Sequence, residues 1–164
     1  MKKILTLIAA AVLLVSCGAL RETPEEKAQH IQDVREAVLS GRYSIDVTTM
    51  IPLRGTTKHV SNYSLTVKDG RLYSYLPYIG AARMLPYGGG KGLNFEEDIA
   101  GYQLVQTAPD HWTVYIEVQN EEDTYLYTLS IFDNGSTHID VRSRNRDAIS
   151  YNGEVDTRYD PDKQ

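Results

Sequence analysis

The sequence predicts a mainly β domain of the α+β class, in which one N-terminal amphipathic helix precedes an antiparallel meander of about eight or nine strands. Two observations predict it. Apolar residues first recur at helical spacing and then, after Gly41, at every second position. Turn sequences such as Asp69-Gly70 and Asn134-Gly135 separate the later apolar runs. A sheet of this size must curve strongly or close into a barrel.

The helix is predicted to begin after Thr23. Thr23 suits the N-cap, Pro24 suits the first helical position, and Glu26 is placed to complete a capping box. Gly41 can take the left-handed conformation that ends a helix. An apolar stripe follows the helical period, and it consists of Ala28, Ile31, Val34 and Val38.

Alternation of apolar and polar residues predicts strands with one buried and one wet face. Residues 102–106 alternate only weakly. Asn152-Gly153 falls inside the last apolar pattern, so we expect a bulge there and no hairpin. The predicted inner faces are Tyr43, Ile45, Val47, Thr49 and Ile51; Tyr63, Leu65 and Val67; Trp112, Val114, Ile116 and Val118; Tyr125, Tyr127, Leu129 and Ile131; Thr137, Ile139 and Val141; and Ile149, Tyr151 and Val155.

The N-terminus predicts export and lipid attachment. Lys2 and Lys3 precede an apolar run at residues 4–15 that is too short for a comfortable membrane span. The following Leu-Val-Ser-Cys sequence resembles a bacterial lipobox, which implies acylation of Cys17 after cleavage before it. Cys17 is the single cysteine of the chain, so no internal disulfide can form. The plain alternatives are an unmodified signal peptide or a free thiol.

The expected organisation is a signal peptide at 1–16, a tether at 17–22, one domain at 23–159 and a polar tail at 160–164. Loss of Lys2 and Lys3 with the signal takes the net charge from −5 to −7. An acidic chain of this kind argues against nucleic acid as a partner.

The stretch YLPYIGAARMLPYGGGKGLNF, residues 75–95, is rich in tyrosine, proline and glycine. It fails the phosphate-loop pattern, because Leu85 stands at the first glycine position and Gly92 at the Ser or Thr position. Its prolines predict that it leaves the sheet. Its rings are too apolar to remain in water, so the stretch either packs on the barrel as a cap or lines a ligand cleft through Tyr75, Tyr78 and Tyr87.

The sequences YLPYIG, PYGGG, GLNF and SRNRDAISYNG together resemble the DUF4251 family, lipoproteins of Bacteroides-type bacteria whose function is unknown. The resemblance extends from the helix to Tyr159. It implies an envelope lipoprotein and supplies no activity.

Other polar groups point weakly to chemistry. The scattered histidines lack zinc-site spacing, although His138 and Asp140 share a strand face. Two acidic runs, at 96–98 and 121–123, are expected in turns. Arg144 and Arg146 could form an anion or acidic-glycan site, or a charged sheet edge that ends in a turn.

We therefore expect a non-enzymatic binding or scaffolding module that is held by lipid on Cys17 and uses no cofactor or metal. The candidate binding surface comprises Tyr75, Tyr78, Tyr87, Arg144 and Arg146. The partner could be an envelope protein, a glycan or an apolar ligand. The alternatives are an envelope hydrolase acting on glycan or peptide, and a purely structural protein. The absence of aspartate after Cys17 favours the outer membrane, by analogy with enterobacterial lipoproteins.

Overall fold

The structure is a computed structural model that describes residues 23–83 and 92–163. Within these residues, one helix precedes eight antiparallel strands that form a closed barrel in chain order, with β8 pairing back onto β1. The mainly β prediction and the curved, barrel-like sheet are confirmed. The elements are α1 Pro24–Ser40, β1 Tyr43–Pro52, β2 Lys58–Lys68, β3 Arg71–Leu76, β4 Leu93–Ala108, β5 His111–Gln119, β6 Thr124–Phe132, β7 Ser136–Ser143 and β8 Ile149–Val155.

Helix α1 begins and ends as its sequence predicts. The Thr23 hydroxyl accepts a hydrogen bond from the Glu26 amide, and the Glu26 carboxylate accepts one from the Thr23 amide, at 3.2 and 2.7 Å. Gly41 ends the helix at φ 67°. Only the second half of the predicted apolar stripe is buried, because Val34 and Val38 enter the core whereas Ala28 is exposed.

Helix α1 packs at the barrel end that carries the β6–β7 turn. A His30 ring nitrogen lies 3.1 Å from the carbonyl oxygen of Asn134, in that turn. The Arg35 guanidinium lies 5.6 Å from the ring centre of Trp112, which is itself buried. One end of the barrel is therefore closed by the helix.

Side chains fill the barrel interior. Eight strands enclose a space just wide enough for side chains or one small ligand. Here four tyrosines and a tryptophan occupy it together with the aliphatic residues of the core. The five aromatic residues are Tyr43, Trp112, Tyr125, Tyr127 and Tyr151, and each is at most 2% exposed. The described residues thus form a packed core, and the depressions considered below lie on the outside.

The two predicted hairpins are present. Asp69 and Gly70, at φ 51° and 77°, join β2 to β3, and the Asn134-Gly135 turn joins β6 to β7. Asn152-Gly153 makes no hairpin, as predicted, but it faces a bulge in β1. Gly153 pairs with Val47 and Asn152 pairs with Thr49, so the extra residue belongs to β1.

That bulge overturns the predicted inner face of β1 beyond Val47. An extra residue inverts the alternation of every residue after it. Met50 and Pro52 are therefore buried, and Thr49 and Ile51 are only partly buried. The bulge could not be read from a local alternation that looked unbroken.

The acidic run at 96–98 lies within β4, so its prediction as a turn is wrong. Arg71 on the neighbouring strand pairs with Glu96 at 2.6 Å and with Asp98 at 2.9 Å. This cross-strand compensation lets carboxylates occupy a wet strand face. Strand β4 also shows register shifts at 99–101 and 106–108, which explain its weak alternation. The second acidic run, at 121–123, lies in the β5–β6 turn, as predicted.

Candidate functional site

The segment after β3 leaves the sheet and docks on the β7–β8 loop. Residues 77–83, here called the docking segment, form backbone hydrogen bonds with that loop. The Arg83 amide donates to the Asn145 carbonyl at 2.7 Å, and the Asp147 amide donates to the Ala81 carbonyl at 2.9 Å. The Tyr151 hydroxyl donates to the Pro77 carbonyl at 2.7 Å. The described part of the stretch is thus fastened to the barrel.

Tyr78 uses its polar end inside this contact. Its hydroxyl lies 3.0 Å from the Asp147 carbonyl and 3.2 Å from the Ala81 carbonyl, with either of which it can bond. Burial, together with the charge of Asp147, raises the pKa of Tyr78 above its ordinary value. The hydroxyl therefore stays protonated and acts as a donor to the backbone.

Arg146 is enclosed beside Tyr78. Its side chain is 6% exposed and pairs at 2.7 Å with Glu122, whose side chain is 14% exposed. The guanidinium also lies 5.6 Å from the ring centre of Tyr78. A nearly buried charge needs this kind of pairing, so the Arg146 guanidinium stabilises the fold and is not available to an external ligand.

The Asp123 carboxylate holds the β7–β8 loop by hydrogen bonds to its backbone. The carboxylate accepts hydrogen bonds from the amides of Thr124, Asn145 and Arg144, at 2.8, 2.9 and 3.3 Å. Burial acts to raise the pKa of Asp123, but these bonds and one from the Ser143 hydroxyl outweigh it and lower the pKa. We call Tyr78, Glu122, Asp123 and Arg146 the Arg146 cluster.

The other side chains of the sequence-predicted surface are not part of this cluster, although the Arg144 backbone amide donates to Asp123. Tyr75 is on β3, 50% exposed, with its ring centre 5.3 Å from that of Tyr63. Arg144 is exposed. Tyr87 and Cys17 lie outside the described residues. Among the described side chains of the predicted set, the structure brings together those of Tyr78 and Arg146.

The predicted histidine–aspartate pair forms without a third ligand. His138 lies 3.6 Å from Asp140, and its other ring nitrogen lies 2.7 Å from the side-chain oxygen of Asn152. Across residues 23–83 and 92–163, no three histidine, cysteine or acidic side chains are arranged to hold a metal ion. The pair is a polar contact on the outer wall.

A depression of about 540 Å³ lies on the outer wall of the barrel, across β4 to β7. Two neighbouring rows of cross-strand partners contribute to it. We define the outer-wall groove by these rows, which are Gln103, Tyr115, Thr128 and Asp140 in the first and Gly101, Glu117, Leu126 and Arg142 in the second.

The β4 bulge and a glycine open the groove. The register shift between Ile99 and Gly101 interrupts the β4–β5 ladder, and Gly101 has no side chain to cover the wall. Tyr115 and Leu126 stand beside this opening at 46% and 49% exposure. The signal that sequence reasoning missed is therefore a tyrosine and a leucine at outward positions of neighbouring strands.

A second depression, of about 630 Å³, lies between β4 and the β5–β6 turn. It is lined by Glu97, Glu121 and Glu122 among others. The three glutamates make the lining largely negative, and one of them, Glu122, is already paired with Arg146. The outer-wall groove offers a ligand apolar area together with both hydrogen-bond donors and acceptors.

Comparison with known proteins supports the fold and the family. The family model described as "Domain of unknown function (DUF4251)" matches residues 25–155. A crystal structure of a DUF4251 family protein from Bacteroides eggerthii DSM 20697 is similar at a TM-score of 0.61 and 12% identity, covering 81% of this chain and 91% of that one. At this identity the likeness speaks for the fold alone.

No curated protein matches the chain. No helix in the described part is long and apolar enough to cross a membrane. The family match spans most of the chain and agrees with the resemblance found in its sequence. This protein therefore belongs to the DUF4251 family.

Proposed function

We propose that the protein is a lipid-anchored lipoprotein of the cell envelope, located at the outer membrane, that binds its ligand without chemical conversion. The signal sequence, the lipobox and the lone Cys17 support the anchor. More than one acyl chain is needed for stable attachment, and lipoprotein maturation at such a cysteine supplies it. The expected tether at 17–22 lets the domain stand off the membrane.

The outer-wall groove is the observation that carries the binding role. The interior is occupied by side chains, so the described barrel offers a ligand its surface and not its centre. On that surface the groove combines an exposed ring and an exposed leucine with several polar side chains. A concave, partly apolar surface with a few polar groups is the usual form of a ligand site.

The Arg146 cluster has a structural role, because it joins the docking segment, the β5–β6 turn and the β7–β8 loop. Its hydroxyl, guanidinium and buried carboxylate are engaged with groups of the protein itself. Tyr75 and Arg144 lie outside the outer-wall groove, and we assign them no part in this binding.

Binding without hydrolysis fits the groove better than the hydrolase alternative. Glu117 is exposed, and the Asp140 side chain is 42% exposed. A catalytic carboxylic acid is usually kept protonated by apolar enclosure, which these two carboxylates lack.

The anchor is tested with Cys17→Ala in the native host. We expect the parent chain to sediment with membranes and to incorporate labelled palmitate, and the variant to lose both properties. A variant that sediments like the parent, with no acyl label on either chain, would contradict the anchor. Ligand binding is tested by native mass spectrometry of the full chain solubilised from its own envelope, where we expect an additional bound mass.

A further inference from the structure

We propose that the outer-wall groove binds a neutral glycan, with the ring of Tyr115 as the surface on which a sugar stacks. This inference rests on the proposed binding function and specifies its site and its ligand class.

The groove has the shape for a short carbohydrate chain. Each of its two rows crosses four strands, and at the spacing of neighbouring strands this makes a length of about 14 Å. Tyr115 and Leu126 lie on adjacent strands in adjacent rows, so they supply contiguous apolar area at the middle of the groove. A flat ring of this kind can pack against the C–H face of a pyranose.

The polar side chains around that apolar centre are free to bind. Within the described chain, Gln103, Glu117 and Arg142 make no side-chain hydrogen bond or ion pair. Asp140 is the exception, because it accepts a hydrogen bond from the Ser150 hydroxyl at 2.6 Å and lies 3.6 Å from His138. This is the reverse of the Arg146 cluster, where the corresponding groups are already engaged.

The mixture of donors and acceptors matches hydroxyl groups. A carboxylate only accepts hydrogen bonds, a guanidinium only donates them, and an amide does both. A sugar hydroxyl can also do both, so one neutral ligand satisfies Glu117, Gln103 and Arg142 together. A wholly apolar ligand would leave these groups without partners and without water.

The charge of the groove disfavours acidic glycans, and the direction of its rows across the strands disfavours extended peptides. Glu117 and Asp140 against the single guanidinium of Arg142 make the groove net negative, which disfavours an acidic glycan. An extended peptide is usually recognised by pairing along a strand edge. Here the rows run across strands that are already paired with their neighbours, so the groove offers no such edge.

The test uses the detergent-solubilised full chain on an array of neutral gluco-, manno-, galacto- and xylo-oligosaccharides, together with uronate and sulfated oligosaccharides and extended peptides. Tyr115→Ala removes the stacking ring. Gly101→Val places an isopropyl group in the groove and narrows it, and its Cβ would meet the Glu117 Cβ at an ordinary 3.5 Å. Tyr75→Ala is the matched control, since that ring is similarly exposed but lies on β3, outside the groove.

We expect a neutral oligosaccharide to bind, with affinity about tenfold lower or worse in Tyr115→Ala and Gly101→Val, and within about twofold of the parent in Tyr75→Ala. Thermal unfolding of each variant verifies that the fold is retained. Binding only of acidic glycans or peptides, binding indifferent to both groove variants, or binding lost equally in Tyr75→Ala overturns the proposal.

Failure of the array is distinguishable from failure of the broader function. If no oligosaccharide binds but native mass spectrometry still finds a bound mass on the envelope-derived chain, the glycan assignment is wrong and the binding module stands. If neither experiment finds a ligand, both proposals are wrong.

Discussion

The Arg146 cluster and the outer-wall groove contain the same kinds of residue, but the cluster stabilises the fold whereas the groove is available to a ligand. Each contains a tyrosine, an arginine and carboxylates. In the cluster, the Arg146 side chain is 6% exposed and its guanidinium lies 2.7 Å from the Glu122 carboxylate. In the groove, Arg142 is exposed and has no partner within the described residues. The comparison teaches that residue type does not separate a structural polar group from one available to a ligand. What separates them is whether the group already has a hydrogen-bond or ion-pair partner within the protein.

Burial is the physical cause of the difference. A charge removed from water is stable only when it is paired and hydrogen-bonded, so the charged groups of the Arg146 cluster bind other groups of the protein. A charge on the outer wall is solvated, and it can exchange water for ligand. Substitutions should therefore change stability at the cluster and binding at the groove.

The largest effect on stability is expected from Arg146→Ala. It removes the cation that pairs with the nearly buried Glu122 carboxylate, which should cost about 3 kcal/mol of unfolding free energy. Urea denaturation measures the loss. The control is Arg144→Ala, two residues away and exposed, which should stay within about 0.5 kcal/mol of the parent. Equal effects of the two substitutions would refute the structural role of Arg146.

A smaller and pH-dependent effect is expected from Asp123→Asn. The amide keeps only one of the two acceptor oxygens and loses the charge, at a cost of about 2 kcal/mol at pH 7. Because folding lowers the pKa of Asp123, its contribution is complete above the ordinary value of 3.8 and is lost as the pH falls through the folded-state pKa. The difference between variant and parent should therefore shrink below about pH 4.

Denaturation series at neutral and acidic pH measure that dependence. Asp110→Asn is the control, because Asp110 is an exposed aspartate in the β4–β5 turn whose side chain has no partner among the described residues. It should leave the free energy of unfolding nearly unchanged at every pH. A gap between Asp123→Asn and the parent that stays constant with pH would contradict the charge-based explanation.

Local patterns predicted the helix, both hairpins and the β-rich class. The capping box and the Asp69-Gly70 turn involve residues within a few positions of each other, so the sequence expresses them directly. Strand β4 was harder, because its two register shifts break the alternation by which strands are recognised.

The two surfaces depend on contacts that are distant in sequence. Tyr78 meets Arg146 only because the docking segment crosses to the β7–β8 loop. The groove joins Gln103, Tyr115 and Asp140 through strand register, which no local pattern specifies. The sequence therefore identified tyrosines and arginines as notable, but it could not tell which were engaged within the fold.

The most direct test of the account compares Gly101→Val with Tyr78→Phe by native mass spectrometry of the full chain solubilised from its own envelope. The first variant narrows the groove, and the second removes one hydroxyl that helps to hold the docking segment on the β7–β8 loop. We predict that the bound mass found on the parent disappears from Gly101→Val and persists on Tyr78→Phe. Persistence on Gly101→Val with loss from Tyr78→Phe would place the ligand at the barrel end and contradict the account.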